Sequence, residues 1–162
     1  QYAFLSLGLP IHTSLAWIDA FFASFKQLAE RTEVQLLGGD TTRSSQIIIN
    51  VLLMGAVNTS FIKRRSQAIL GDIICCTGHL GDSGAGLKIL LEGLPIDQNG
   101  ENLIQAHVRP RPHLEEGKWL ASQPSVHAMM DISDGLASDI QRIMEASQCG
   151  AHLKVDNLPL SK

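Results

Sequence analysis

The spacing of apolar residues divides the first part of the chain into strands and a one-faced helix. Tyr2–Leu9 is apolar and rich in β-prone residues, which predicts a buried strand. Thr13 or Ser14 then stands where a side chain can cap a helix. The apolar positions of that helix recur at helical spacing, at Leu15, Ile18, Phe22, Phe25 and Ala29. Short strands are predicted at Val34–Leu37 and Gln46–Val57, with a polar loop between them.

Charged and turn residues interrupt this pattern around Lys63–Gly71, and we place a domain boundary there, between residues 1–62 and 63–162. Strands are predicted beyond the boundary at Asp72–Thr77, Val126–Ile132 and Ala151–Val155. Helices are predicted up to Gly93 and over Leu103–Val108, Leu114–Ser122 and Gly135–Gln148. This alternation of strands and helices indicates an α/β or α+β fold.

Composition narrows the class of protein. The chain has 162 residues, of which 44% are hydrophobic and 18% are charged, as in ordinary globular proteins. The net charge is −3 and most basic residues are scattered singly, which argues against nucleic-acid or membrane-surface binding. The longest apolar run, Ile47–Met54, is interrupted by Asn50 and is too short to span a bilayer.

The cysteines and the chain ends add two expectations. Cys75, Cys76 and Cys149 form no C-x-x-C pair, so the sequence indicates neither a disulfide framework nor a zinc site. We therefore expect reduced thiols and a cytoplasmic location. The chain starts at Gln1 without a methionine and stops soon after a strand-like segment, so we expect a piece of a longer protein.

The segment Gly38-Gly39-Asp40-Thr41-Thr42-Arg43-Ser44 is the first candidate site. Its glycines, at the predicted end of a strand, allow the backbone to bend and to approach a ligand closely. The carboxylate, hydroxyls and guanidinium that follow suit a magnesium–phosphate complex, because Mg²⁺ prefers oxygen ligands and Arg binds phosphate. A polar turn explains the same residues, because Gly, Asp and Thr are common in turns.

The second candidate site lies in the segment Met130–Leu136, where a predicted strand passes into a helix. Asp131 and Ser133 share a face if the strand persists, and Asp134 sits at or beside the helix N-cap. In phosphotransferases Mg²⁺ takes one or two carboxylates together with phosphate oxygens and waters, which these residues fit. The alternatives are helix capping for Asp134, and a nearby Arg or backbone amides as the partners of Asp131.

A third segment, Gly78–Gly86, joins a predicted strand to a helix. Glycines ahead of a helix N-terminus favour anion binding, but the segment lacks the ending of a P-loop. Close packing of the strand against the helix is therefore the preferred interpretation. The six histidines show no H-E-x-x-H spacing, and the chain contains no G-x-S-x-G sequence.

Taken in order, these motifs resemble those of thiamine-monophosphate kinases, which share a superfamily with aminoimidazole ribonucleotide synthetase, selenophosphate synthetase and a hydrogenase-maturation protein. The similar segments are Leu5–Pro10, Gly38–Ser44, Arg65-Ser66, Gly71-Asp72, Thr77–Leu87, Arg109–Pro112, Asp131–Leu136 and Asn157–Pro159. The family's synthetase-like kinase fold has two α/β domains, with ATP and magnesium ions between them and an N-terminal domain that pairs with its twin. By this resemblance, residues 1–62 are the second half of the N-terminal ATP-binding and dimerisation domain, and residues 63–162 begin the C-terminal domain.

The resemblance also implies roles for individual residues. The implied magnesium ligands are Asp40, Asp131 and Asp134, and the implied ATP contacts are Gly39, Arg65 and Ser133. The chain departs from the family pattern at Ser45 and at Ile69-Leu70, which alters the loops near Arg65. The acidic cluster that usually precedes this part of the family, and the portion that helps to hold the thiamine ring, are absent from the sequence.

The reaction that the resemblance implies is the ATP- and Mg²⁺-dependent phosphorylation of thiamine monophosphate to thiamine diphosphate by direct in-line transfer. The acceptor phosphate is already ionised at neutral pH, so no side-chain acid–base catalyst is expected. The expected partners are ATP, thiamine monophosphate and a second copy of the chain. The alternatives are another ATP-using member of the superfamily and a catalytically silent nucleotide-binding or dimerisation fragment. The isolated chain is expected to be inactive.

Overall fold

The structure is a computed structural model that describes residues 1–161. The chain folds into two compact units, Gln1–Asn58 and Thr59–Lys162. The first unit combines a sheet with one helix, and the second unit is built mainly from helices. The mixed α/β class expected from the sequence is confirmed. Among the helices of the described residues, none combines the length and apolarity that a membrane span needs.

The first unit contains a three-stranded sheet in the order β2-β1-β3. Its elements in chain order are β1 (Tyr2–Leu9), α1 (Leu15–Arg31), β2 (Gln35–Arg43) and β3 (Ile48–Met54). Strand β1 pairs in parallel with β2 and antiparallel with β3. A parallel pair needs a crossover connection, and α1 supplies it between β1 and β2.

Helix α1 begins where the sequence predicts it. The side chain of Ser14 accepts a hydrogen bond of 3.2 Å from the amide of Trp17, which satisfies one of the unpaired amides at the helix start. The predicted stripe is half-buried at Ile18, Phe25 and Ala29, but Leu15 and Phe22 are exposed. Trp17 and Phe21, which were not predicted, are half-buried and stacked 5.4 Å apart. Aromatic stacking along the helix therefore sets the face that is partly covered.

The core of the first unit lies on one face of β1. Ala3, Leu5 and Leu7 alternate along the strand and are at most 5% exposed. By contrast, every residue of β2 and β3 is exposed, including all the residues of β3 other than Asn50, which are apolar. The central strand is thus covered by its neighbours, and the two outer strands leave apolar surface uncovered within this unit.

The prediction that Gly38–Ser44 forms a loop is wrong. Strand β2 continues to Arg43, and β1 pairs with it along its whole length, from Tyr2 opposite Gln35 to Leu9 opposite Arg43. The physical reason is that β1 offers backbone partners up to Leu9, so the polar segment satisfies its amides and carbonyls by remaining in the sheet. The polar loop is shortened to residues 44–47.

Four α-helices form the second unit: α2 (Asp82–Glu92), α3 (Gln98–Val108), α4 (Leu114–Ser122) and α5 (Leu136–Ser147). Single 3-10 turns lie at Thr59–Phe61, Arg65–Gln67 and Val155–Asn157. Helices α2 and α3 pack closely at Gly86, where a Cβ atom would lie 2.0 Å from the carbonyl oxygen of Leu103. Helix α3 starts five residues earlier than predicted, because Asp97 caps it by accepting from the amide of Gly100 at 2.7 Å.

The three strands predicted in the second unit do not form. The segments Asp72–Thr77, Val126–Ile132 and Ala151–Val155 contain no strand in the part of the chain that the structure describes. Their apolar, β-prone composition was the basis of the prediction. A strand also requires a neighbouring strand for its ladder of hydrogen bonds, and composition does not supply that neighbour. Ile73 is accordingly 87% exposed.

Candidate functional site

The predicted site residues fall in both units. Gly39 and Asp40 lie on β2 in the first unit, and the remaining four lie in the second unit. Those four are Arg65, Asp131, Ser133 and Asp134. The geometry of each group is therefore described within its own unit.

Gly39 is required by the sheet itself. A Cβ atom at this position would lie 1.7 Å from the carbonyl oxygen of Leu5, its partner on β1. The pairing of β1 with β2 shifts register between Ala3 and Phe4, just before this contact. Because no side chain fits there, the close approach of two strands is enough to explain the glycine.

Asp40 follows Gly39 and has an exposed carboxylate. It lies opposite Ser6 of β1, and its Oδ1 accepts a hydrogen bond of 2.8 Å from the amide of Thr41. Asp40 also lines a shallow depression of about 270 Å³. The other lining residues are Leu5, Leu7, Phe22, Leu36, Gly38, Gly39 and Thr41. An oxygen ligand is thus available to solvent beside an apolar wall.

The predicted carboxylates of the second unit lie on one exposed loop, residues 131–134, which we call the carboxylate loop. It precedes α5, whose N-cap is Gly135 with a φ of 98°. Asp134 therefore does not cap the helix, because the left-handed backbone at the cap position is taken by glycine. Asp131 is exposed, so its carboxylate is not the buried strand end that the sequence suggested.

The side chain of Asp139 in α5 binds the backbone of the carboxylate loop. It lies in the first turn of α5 and is 2% exposed, and its Oδ2 accepts from the amides of Ser133 at 2.9 Å and Asp134 at 3.0 Å. Its Oδ1 is buried and has no hydrogen-bond partner among the described residues. A buried carboxylate is costly unless it is hydrogen-bonded or paired with a cation, so this arrangement requires both amides to stay in place.

Arg142 connects the buried carboxylate to the exposed one. Its guanidinium donates a hydrogen bond to the carboxylate of Asp134. Its Nε lies 3.8 Å from Oδ1 of Asp139, one helical turn earlier. Asp134 therefore has a cationic partner supplied by the chain itself, and that partner is shared with a second carboxylate.

Arg65 lies away from the carboxylate loop. Its carbonyl oxygen accepts from the hydroxyl of Ser147 at 2.6 Å, in the last residue of α5, whereas the loop precedes the first residue. At 1.5 Å of rise per residue, the two ends of this 12-residue helix are separated by roughly 17 Å. The structure thus brings Ser133 and Asp134 together, and it places the backbone of Arg65 at the far end of α5.

The donor set fits a magnesium ion only as part of a larger site. Within residues 1–161, no group of three or more His, Cys, Asp or Glu side chains is arranged to hold a metal ion. Asp131 and Asp134 nevertheless lie three residues apart on an exposed loop, and Mg²⁺ commonly takes one or two protein carboxylates with phosphate oxygens and waters. The carboxylate loop therefore fits Mg²⁺ bound together with a phosphate ligand.

Two residues of this cluster, Asp139 and Arg142, are not among the site residues predicted from the sequence. The signal was present, because Asp139 follows Asp134 by five residues and Arg142 lies one turn beyond it. A carboxylate in the first turn of a helix is normally solvent-exposed, but the preceding loop folds back and donates two amides to this one, which is buried.

In the second unit, Asp72 and His127 form a hydrogen-bonded pair outside the carboxylate loop. The carboxylate of Asp72 accepts from the amide of Ile69 at 2.9 Å and contacts Nδ1 of His127 at 2.7 Å. These two hydrogen bonds, that from Ile69 being the stronger cause, lower the pKa of Asp72 from its usual value. The pair ties the turn at residues 69–72 to the segment that precedes the carboxylate loop.

Residues 70–162 match the family described as AIR synthase related protein, C-terminal domain. The match covers more than half of the chain, and the chain belongs to this family.

Among curated relatives, the similar proteins are thiamine-monophosphate kinases. That of Salmonella typhimurium is 40% identical over 159 residues, which is 97% of this chain and 48% of the relative. That of Buchnera aphidicola subsp. Acyrthosiphon pisum is 36% identical over 164 residues, which is 100% of this chain and 50% of the relative. The resemblance to this family is thereby confirmed, and the chain spans about half the length of the curated relatives it matches.

Solved structures agree with the sequence relatives. Thiamine-monophosphate kinase from Stenotrophomonas maltophilia K279a superposes with a TM-score of 0.90 and 36% identity, over 99% of this chain and 51% of that one. AaThiL complexed with AMPPCP and TMP gives a TM-score of 0.83 and 33% identity, over 91% of this chain and 47% of that one. The hydrogenase maturation protein HypE of E. coli, at a TM-score of 0.79 and 24% identity, shows the shared fold alone.

Proposed function

We propose that this chain is part of an ATP-dependent kinase that converts thiamine monophosphate to thiamine diphosphate. The observation that carries the proposal is the carboxylate loop, which presents two carboxylates and a hydroxyl to solvent ahead of α5. The sequence and structural relatives support the same reaction, and AMPPCP, the ligand of one of them, is an analogue of ATP.

The roles proposed for the residues follow from their chemistry. In the second unit Asp131 and Asp134 would hold magnesium, and Ser133 and Arg65 would contact ATP. In the first unit Asp40 would be a magnesium ligand and Gly39 an ATP contact. Bound magnesium would neutralise the charge that accumulates as two phosphates approach each other. The hydroxyl of Ser133 and the guanidinium of Arg65 are donors, and both suit phosphate oxygens. The exposure of all six residues supports these roles, because a ligand has access to each of them.

No side chain is assigned as a general base. The acceptor oxygen belongs to a phosphate that is ionised at neutral pH, so it needs no deprotonation before it attacks. The residues of this chain would therefore act by orienting the two phosphates in line and by holding donors against them. The proposal is in accord with a set of site residues that contains neither histidine nor cysteine.

We also propose that the protein is a homodimer in the cytoplasm. Strand β3 leaves its apolar residues exposed, with Val51 at 43% and Leu53 at 67%, and a contiguous apolar surface of this kind favours a protein partner. Sedimentation of the chain at several concentrations, compared with a Leu53→Lys variant, tests the dimer. All three cysteines are free thiols, which supports a reducing compartment.

A catalytically silent nucleotide-binding fragment remains a second candidate for the chain alone. It is favoured by the absence, within residues 1–161, of any cluster of three metal-binding side chains. Nucleotide binding without turnover would identify this alternative, whereas turnover of thiamine monophosphate would identify the kinase.

The kinase is tested with a full-length protein that carries this segment, supplied with ATP, Mg²⁺ and thiamine monophosphate. We expect Asp40→Ala and Asp131→Asn each to lower kcat/KM by about a hundredfold or more, as loss of a charge-stabilising group does. Asp156→Asn removes an exposed carboxylate outside the proposed site and serves as the matched control. Equal activity in all three variants would refute the assigned metal ligands, and an inactive wild-type protein would refute the reaction.

A further inference from the structure

Asp139 is the most deeply buried charged side chain in the described part of the molecule. It is 2% exposed, although it lies in the first turn of a helix that has few buried residues. Both of its hydrogen bonds lead to the carboxylate loop, to the amides of Ser133 and Asp134. The burial of this carboxylate therefore serves the loop, because it makes no contribution to an apolar core.

The two hydrogen bonds fix the direction of the loop side chains. Consecutive amides that point to one oxygen hold the backbone at Ser133 and Asp134 in a single arrangement. Both of these side chains remain exposed while their amides point inward. A loop of polar residues without such an anchor would sample many conformations, and binding a ligand would then require ordering it.

We propose that Asp139 is a positioning residue, which preorganises Ser133 and Asp134 for cation and phosphate binding by holding their amides. The inference rests on the proposed function for its ligands and on the geometry above for its mechanism. Asp139 itself touches no ligand, because its Oδ2 is occupied by the two amides and the residue is enclosed. Partners that orient ligating residues in this way typically contribute tenfold to a hundredfold in metal affinity.

Arg142 gives the same carboxylate a second effect. The guanidinium now pairs with Asp134, and Oδ1 of Asp139 lies 3.8 Å from its Nε without a hydrogen bond. When a cation binds Asp134, the guanidinium of Arg142 can pair with the carboxylate of Asp139 instead. Without the charge of Asp139, Arg142 would stay on Asp134 and would compete with the cation.

The test uses Mn²⁺ alone as a paramagnetic probe of the 162-residue chain. Asp139→Ala removes both effects, and Asp139→Asn keeps an oxygen for the two amides while it removes the charge beside Arg142. Glu145→Gln, which removes an exposed carboxylate from the same helix, is the matched control. Two quantities are measured by NMR: amide exchange at Ser133 and Asp134, and the Mn²⁺ concentration that half-broadens the resonances of the carboxylate loop.

We expect Asp139→Ala to speed exchange of both amides and to raise the half-broadening concentration about tenfold. Asp139→Asn should keep the amides protected and raise that concentration about threefold relative to Glu145→Gln, because the lost charge is adjacent to Arg142. If Asp139→Ala does not fold, Asp139→Thr takes its place, because it fills more of the enclosed space but is too short to accept from both amides. Mn²⁺ binding equal to that of Glu145→Gln in the variant that lacks both amide hydrogen bonds would overturn the proposal, because Asp139 would then be a structural anchor alone.

A kinase assay separates this inference from the proposed function. Magnesium dependence is measured in the full-length protein with ATP and thiamine monophosphate. The inference predicts that Asp139→Ala raises the half-saturating Mg²⁺ concentration more than Asp139→Asn does, and that both leave kcat at saturating Mg²⁺ within about twofold, because positioning sets metal affinity. Absence of any kinase activity in the wild-type protein would reject the proposed reaction, while the Mn²⁺ measurement would still judge the role of Asp139.

Discussion

The hydroxyl of Ser147 donates a hydrogen bond of 2.6 Å to the carbonyl oxygen of Arg65, and it accepts one of 3.1 Å from the amide of Ala68. One side chain at the end of α5 thus closes the short 3-10 turn Arg65–Gln67 onto the helix. The two partners are 82 residues apart in sequence, so this contact is part of the tertiary structure of the second unit. It also determines where the backbone of Arg65 sits.

Replacing Ser147 by Ala is expected to lower the stability of the second unit by about 1–2 kcal/mol, because two hydrogen bonds to backbone groups are lost. Urea unfolding followed by Trp119 fluorescence, in a Trp17→Phe background, measures this unit alone. Ser138→Ala, on the same helix with an exposed side chain, is the control and should change stability by less than about 0.5 kcal/mol. Equal stability of the two variants would show that the hydroxyl of Ser147 contributes little.

Gly38 and Gly39, which are adjacent in β2, differ in the space that a side chain would have. A Cβ atom at Gly39 would lie 1.7 Å from the carbonyl oxygen of Leu5, whereas a Cβ atom at Gly38 meets nothing within 4 Å. Gly39→Ala should therefore destabilise the first unit by about 2 kcal/mol or more, because strand pairing must shift to make room. Gly38→Ala should be neutral or stabilising by up to about 1 kcal/mol.

Unfolding of the first unit is followed through Trp17 in a Trp119→Phe background. If both glycine variants are equally stable, β2 does not approach β1 as closely as the structure indicates. A loss confined to Gly39→Ala would instead mean that its proposed contact with ATP must be measured in a variant that keeps the strand intact. Gly38→Ala is such a variant, and its affinity for nucleotide would show whether a ligand reaches β2 beside Gly39.

The sequence was informative where a single segment contains the whole signal. Helix α4 runs over Leu114–Ser122 as predicted, and Gly93 ends α2 in a left-handed conformation as a C-terminal glycine should. The strand predictions in the second unit were wrong because their signal was incomplete. An apolar segment such as Val126–Ile132 becomes a strand only when another strand lies beside it, and that depends on residues far away in sequence.

In the candidate site, too, the residues that could be predicted are those whose signal lies within one segment of the sequence. The exposed carboxylates and the hydroxyl of residues 131–134 were selected from their residue types and from the helix that follows them. Asp139 and Arg142 were not selected, because an Asp and an Arg on a helix are ordinarily solvent-exposed. Their roles depend on the loop folding back over α5, which no local pattern indicates. Because the folded loop covers Asp139, its carboxylate is buried and accepts the hydrogen bonds that hold the loop.

The pair formed by Asp72 and His127 predicts a pH dependence. Because the pKa of Asp72 is lowered in the folded state, its ionised form stabilises the second unit above the ordinary value of 3.8, and this stabilisation is lost as the pH falls below that value. Exchange of the Ile69 amide, which donates to Asp72 at 2.9 Å, reports on it directly. Asp72→Asn should speed that exchange near neutral pH.

The difference between Asp72→Asn and the wild type should shrink once the pH is well below about 3.8, where the wild-type carboxylate is also protonated. The exposed carboxylate of Asp156 is the control, and Asp156→Asn should leave exchange at Ile69 unchanged throughout. A difference that persists undiminished at low pH would assign the protection to the shape of the turn and not to the charge of Asp72.

The 162-residue chain on its own should convert thiamine monophosphate at a rate near background. Transfer between two phosphates brings several negative charges together, and these must be neutralised by cations held from more than one side. Within residues 1–161, no three metal-binding side chains are gathered at one place, and Asp134 is paired with Arg142. Each missing charge-stabilising group typically costs about a hundredfold or more in rate, so the losses multiply.

A coupled assay of ADP release compares the turnover rate of the 162-residue chain with that of a full-length protein that contains this sequence. Addition of thiamine monophosphate should increase ADP release by the full-length protein, and it should leave that of the chain at the level of a buffer control. Binding of a fluorescent ATP analogue to the chain serves as the positive control for folding, because the proposed nucleotide contacts Ser133 and Arg65 belong to it. Turnover by the chain within about tenfold of the full-length rate would show that the carboxylates of residues 1–162 suffice for phosphoryl transfer, and the partial-site interpretation would then be wrong.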